Sequence, residues 1–184
     1  MTPRFIPGIE LARLFYAEQV RPLLASAFPR LPHSAALIGW GSEVLGLDTA
    51  RSTDHNWGPR LQLFLADNDD TANLAASILG VLADRLPAEF RGYPTVFAAS
   101  EAAPETASHW VEVAGLRAWL AGYLGFDPLA GVTLLDWLST PTQTLAEVTG
   151  GAVFHDGLAY TQGGPAGPGR RTRGGTVSAG LVPR

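Results

Sequence analysis

Ser34-Ala35-Ala36-Leu37-Ile38-Gly39-Trp40-Gly41-Ser42-Glu43-Val44-Leu45-Gly46 is the stretch that decides the fold. A short apolar run, bounded by turn residues, suits a buried strand. It ends in a Gly-Ser turn, and residues 43–47 then read as one helical turn or a little more. Glycine lets the backbone bend sharply and come close to a ligand. A helix start offers free N–H groups, and the serine adds a hydroxyl, so this order builds an anion cradle. Gly41 and Ser42 are therefore the candidate phosphate-binding residues. A plain tight turn is the alternative.

Upstream, Ile9, Leu11, Leu14, Phe15 and Val20 recur at helical spacing, with Glu10, Arg13 and Glu18 opposite them. They predict a helix over 8–28, which Pro22 breaks or restarts and Pro29 and Pro32 end. Downstream, Arg60–Leu65 alternates like a strand. Leu74, Ile78, Leu79, Val81 and Leu82 share one face of a helix over 71–86. Residues 95–99 read as a strand and 102–108 as a loop. A strand over 109–114 carries Trp110 and Glu112 on one face, Val111 and Val113 on the other. Three helices follow, at Leu116–Leu124, 133–138 and 142–148. Strands and helices alternate without a regular βαβ rhythm. The expected fold is α/β of the α+β type, a small mixed sheet with helices packed on it.

Composition limits the function. The chain has 184 residues and is 46% hydrophobic, enough for one sizeable core. Absent cysteine removes disulfides, thiolate zinc sites and thiol nucleophiles. All 13 basic residues are arginine, so the lysine of a P-loop has no source. Neither a Gly-x-Ser-x-Gly elbow nor a His-Glu-x-x-His helix occurs. A formal charge of -4 argues against a nucleic-acid partner. The longest apolar stretches fall far short of the ~20 residues that span a bilayer, and the N-terminus lacks a secretory pattern. The expectation is a cytoplasmic protein with no membrane partner.

The last 22 residues, from Gly163, hold seven glycines, three prolines, four arginines and no acid. The body before them is therefore eight charges negative. This division predicts a folded domain at 5–160 and a disordered Gly/Pro/Arg-rich tail at 161–184. The tail reads as a linker, a frameshifted end or a truncated product. Leu181-Val182-Pro183-Arg184 also matches what a thrombin-type processing site leaves.

The chemistry-bearing residues lie between the two predicted strands, in Ser52-Thr53-Asp54-His55-Asn56-Trp57. In an extended segment Asp54 and Asn56 share a face, and His55 points away as a structural residue. Oxygen donors on one face suit Mg²⁺, which takes one or two carboxylates plus phosphates and water. Arg60 can neutralise a triphosphate or serve as a surface or cap residue. His155-Asp156 sits on a turn before Gly157, where neighbours rarely form an acid/base pair. The tryptophans Trp57, Trp110, Trp119 and Trp137 show no stacking platform.

The Gly-Ser turn followed by Asp54-x-Asn56 resembles the nucleotidyltransferase superfamily, the fold of DNA polymerase beta. Gly41-Ser42-Glu43-Val44-Leu45-Gly46, Ser52-Thr53-Asp54-His55, Trp57-Gly58-Pro59-Arg60 and Phe90-Arg91-Gly92-Tyr93-Pro94-Thr95 are more closely similar to a bacterial domain-of-unknown-function family of nucleotidyltransferase-like proteins. The likeness covers roughly 5–158. It implies metal-dependent transfer of a nucleotidyl group from an NTP to a small-molecule or protein acceptor. Asp54, Asn56 and Glu112 would be the catalytic and Mg²⁺-binding set, with Glu112 as an otherwise buried third carboxylate. Two departures stand out. Asn56 replaces an acid, which lowers the charge of the metal site, and Gly58-Pro59 interrupts the second strand. The alternatives are a catalytically inactive nucleotide- or partner-binding domain, or a truncated fragment lacking a C-terminal helical region.

Overall fold

The amphipathic segment after Pro7 forms one continuous helix in three pieces: α1 Gly8–Phe15, a π turn Tyr16–Val20, and α2 Arg21–Ala27. Pro22 does not end it. Proline has no N–H for the helical ladder, and the helix widens to a π turn just ahead of it. Pro22 then occupies the first turn of α2, where the missing donor matters least. This is a computed structural model; it describes residues 4–54, 57–97 and 108–160, and of Thr53 and Asp54 the backbone alone. Residues 98–99 of one expected strand, the expected loop at 102–107 and the expected tail at 161–184 lie outside the described residues.

Among the described residues seven strands follow in chain order: β1 Ser34–Leu37, β2 Arg60–Leu65, β3 Glu89–Phe90, β4 Tyr93–Pro94, β5 Val96–Phe97, β6 Ser108–Gly115 and β7 Ala152–Asp156. The remaining helices are α3 Thr71–Arg85, α4 Leu116–Leu124, α5 Leu134–Ser139 and α6 Thr142–Thr149. Five strands make a mixed sheet ordered β5-β6-β2-β1-β7. β1 is antiparallel to both β2 and β7, and β2 is parallel to β6. The α+β reading of a small mixed sheet with helices packed on it therefore holds. No helix among the described residues is long and apolar enough to cross a membrane.

The period-two pattern of β2 separates the two faces of the sheet. Leu61, Leu63 and Leu65 join Leu11, Phe15, Val20, Leu24, Ile78 and Leu82 in the main core. Each such side chain contributes roughly 1.5–3 kcal/mol by leaving water. On the opposite face Phe64 packs with Ala36 and Trp119 of α4 in a much smaller cluster. α4 thus covers one end of that face, and Arg60 and Gln62 lie at the other.

Two elements depart from the expected pattern. β7 stands where a turn is expected, because its strand state comes from pairing with β1 and not from its own alternation. Asp156 closes this strand, accepting from Ser34 Oγ at 3.1 Å and from the Tyr160 N–H at 2.9 Å. β3 and β4 form a hairpin whose two-residue turn, Arg91-Gly92, has φ of 53° and 86°. Positive φ at both positions fits a type I′ turn.

His33, beside β1, and His155, on β7, lie with ring centroids 4.8 Å apart. His33 Nδ1 is 3.0 Å from the Leu31 carbonyl, so Nδ1 carries the proton and Nε2 accepts from the Tyr16 hydroxyl at 3.0 Å. Burial holds the His33 imidazole below its ordinary 6.5, and His155 and Arg21 add to the effect. Burial also pushes the Tyr16 phenol up to about 12. A histidine held neutral by folding supports the native state fully above 6.5 and progressively less as pH falls below it. Thermal denaturation should therefore give a lower Tm at pH 5.5 than at pH 7.5, and His33→Gln should narrow that gap. An unchanged gap in the variant would remove His33 as its source.

Candidate functional site

β1 stops at Leu37, but its path is prolonged by a side chain. The Gln62 amide clasps Ile38, accepting from its N–H at 3.1 Å and donating to its carbonyl at 3.2 Å. The chain then turns through Gly39 and Gly41, with φ of 84° and 132°. Such values favour glycine, and a side chain on Gly41 would also collide with Arg60 and Glu43. Between the two glycines Trp40 is thrown outward and is 49% exposed. The helical turn expected at 43–47 is instead a nest of tight turns. Val44 bonds back to Gly41 at 3.2 Å, Gly46 to Glu43 at 3.1 Å, and Leu47 to Ser42 at 2.8 Å. Positive φ at Gly46 and chain reversal prevent a regular helix there.

Arg60 opens β2 and fixes this turn from below. Its guanidinium meets Glu43 Oε1 through Nε at 2.7 Å and through a terminal nitrogen at 2.6 Å. It also donates to the Trp40 carbonyl and lies 3.9 Å beneath the Trp40 ring centroid. Both Arg60 and Glu43 are 4% exposed. Arg60 is thus committed to the turn, and a triphosphate would find its charge already neutralised.

Glu112 lies on β6 directly opposite Gln62. It is exposed, where the sequence reading has it buried. Helix α4 reaches it with Trp119 and leaves its carboxylate open to solvent. One carboxylate oxygen accepts from Trp119 Nε1 at 2.9 Å. The other carries no hydrogen bond among the described residues. Nearby, Glu147 of α6 is buried and accepts from Tyr123 at 2.7 Å and Gln143 at 2.9 Å. Burial, with Glu147 beside it, pushes the Tyr123 phenol above the usual range.

Trp40, Arg60, Gln62, His109, Trp110 and Glu112 line a cleft of about 230 Å³. Gly41, in the turn against Arg60, borders these residues, and Ser42 beside it is half-buried. Gly41, Ser42, Arg60 and Glu112 therefore belong to one region of the fold. Asp54 ends a 3-10 turn, Ala50–Asp54, and does not open the second strand. That strand starts six residues later at Arg60, after the Gly58-Pro59 interruption, because proline cannot donate to a ladder. The side chain of Asp54, together with His55 and Asn56, lies outside the described residues. No cluster of three metal-ligating side chains occurs among the described residues.

Sequence reasoning missed three residues here. Glu43 and Gln62 act through partners 17 and 24 positions away, which no local pattern reveals. Trp40 had a signal: a large aromatic between two glycines is held by the turn and not by a core. No family model, curated relative or solved structure matches the chain.

Breaking one partner of a buried ion pair leaves a charge without compensation, typically costing about 3–5 kcal/mol. Glu43→Gln should lower stability by about that much in urea unfolding at pH 7. The paired replacement Glu43→Leu with Arg60→Met should lose less, since no charge is stranded. A single-variant loss under about 1 kcal/mol, the level of surface pairs, would mean that the pair does not hold the turn.

Proposed function

We propose that this chain binds an NTP with Mg²⁺ at the cleft and transfers the nucleotidyl group to a small-molecule or protein acceptor. One observation carries the reading. A strand ending in a Gly-rich turn pairs antiparallel with β2, β2 pairs parallel with β6, and β6 offers an exposed carboxylate beside that turn. This order supports the nucleotidyltransferase resemblance seen in the sequence.

Glu112 fits a magnesium ligand, since one oxygen is held by an indole N–H and the other is unbonded among the described residues. Mg²⁺ keeps much of its water and takes few protein carboxylates. Asp54, Asn56 and Glu112 would hold it. When bound, it would neutralise phosphate oxygens and favour attack by an acceptor hydroxyl. With no helix start behind it, the turn at Gly41 and Ser42 would seat phosphate oxygens on turn N–H groups and the serine hydroxyl. Arg60 keeps that turn in shape instead of touching phosphate. The reading places the chain in the cytoplasm, among free NTPs, with no nucleic-acid or membrane partner.

A second reading, a partner-binding domain without catalysis, draws on two observations. Arg60 is neutralised by Glu43, and α5 exposes Leu134, Leu135, Trp137 and Leu138 to solvent. Isothermal titration with each of the four NTPs, with and without Mg²⁺, tests the first reading. Binding should require Mg²⁺ and weaken at least tenfold in Asp54→Ala and in Glu112→Gln. Asn56→Asp should raise metal-dependent transfer. Absence of binding by all four nucleotides would end the transfer reading, while binding with no transfer even in Asn56→Asp would favour the second.

A further inference from the structure

Trp40 is held as though its position mattered. It belongs to none of the three hydrophobic clusters, yet Arg60 and Trp110 both hold its ring. Two left-handed glycines present it, and its carbonyl accepts from Arg60. Arg60 occupies one ring face at 3.9 Å. Trp110 forms a T-shaped pair with it, with centroids 6.1 Å apart and planes 79° apart. Trp110 is in turn stacked flat on Phe97, 3.7 Å between centroids. Core indoles are held by apolar neighbours, whereas this one is anchored by a buried ion pair and left 49% exposed.

We infer that the face of the half-exposed Trp40 ring turned away from Arg60 is a stacking platform for a neutral planar heteroaromatic ring, and that the ring is the nucleobase of the nucleotide. The identity of the ring rests on the transfer reading above; the platform rests on the geometry alone. Chemistry selects the ring type. The quadrupole of an indole attracts one cation well, and Arg60 already fills that role, so a second cation on the far face would meet a ring polarised against it. An uncharged π-system suits that face and stacks on it. The cleft, about 230 Å³, is below the size that encloses a whole drug-like ligand. It matches one ring system, with sugar and phosphates leading out. Gly41 and Ser42 follow Trp40 directly in the chain, so a stacked base and a phosphate cradle would adjoin.

Nucleosides without phosphates, in the absence of Mg²⁺, isolate this contact from the metal and the transfer step. The full chain with assigned indole N–H resonances should show the Trp40 signal move on titration with adenosine, and less with uridine, whose ring overlaps less. Affinity for adenosine should fall at least tenfold in Trp40→Leu and survive in Trp40→Phe. If Trp40→Leu does not fold, the resonance titration of the unaltered chain still decides. A Trp40 resonance unmoved at millimolar nucleoside, or a Trp40→Leu protein that binds adenosine unchanged, would overturn the platform. Should adenosine bind at Trp40 while no nucleotidyl transfer is found, the platform stands and the transfer reading alone is lost.

Discussion

The ion pair between Arg60 and Glu43 is the interaction on which the open face of the sheet depends. Two charges removed from water are tolerable only when paired and hydrogen-bonded. Here Glu43 takes two nitrogens of the guanidinium, and the Trp40 carbonyl takes a further bond. The pair ties the first residue of β2 to the turn that follows β1. Everything nearby inherits its geometry from that tie. Gly41 has to be glycine because the guanidinium occupies the space of its side chain. Trp40 has to point outward because the same guanidinium lies under its ring.

This arrangement is affordable because stability comes from elsewhere. The face built on Leu61, Leu63 and Leu65 is sealed by the N-terminal helix and α3 in one large cluster. The opposite face has only a small cluster around Phe64 and Trp119. A sheet with one well-packed face can carry polar groups on the other without losing the fold. Gln62 illustrates the division. A buried amide in a strand would be a liability, but it satisfies both backbone groups of Ile38 where β1 ends. A side chain thereby continues a ladder that the backbone has abandoned, and the glycine turn starts from a fixed point.

The parts of the fold legible in the sequence are those set by local periodicity. β2, α3 and α4 were readable from their own apolar spacing, although every residue of β2 is buried and Leu79 of α3 is exposed. β7 was not, since pairing with β1 makes it a strand. Pro22 was read as breaking or restarting the helix, and the backbone restarts there, with a π turn ahead of it and Pro22 in the first turn of α2. At the site, Gly41 and Ser42 were read as a phosphate turn, Arg60 as a phosphate, surface or cap residue and Glu112 as a metal ligand, and the fold puts the four in one region. Their actual states were not legible. Arg60 is engaged by a glutamate 17 positions earlier, and Glu112 is open to solvent although Trp119 of α4 bonds it. Long-range partners decide such states, and one chain read alone does not show them.

The charge balance narrows how an anionic ligand would be held on the proposed reading. The body before Gly163 is eight charges negative, so its long-range field repels phosphates. The guanidinium lining the cleft carries its own counter-ion. Attraction would then have to come from groups acting over a few ångströms: the backbone of the Gly41-Ser42 turn, the Ser42 hydroxyl, and a divalent cation at the carboxylates, the Gly39 N–H being already bonded to the Glu147 carbonyl at 2.9 Å. Stacking on Trp40 adds affinity that a negative field does not weaken, because a neutral ring carries no charge to repel. A ligand entering base first would meet its favourable contact before its phosphates met the field, which makes the exposed indole the natural point of entry.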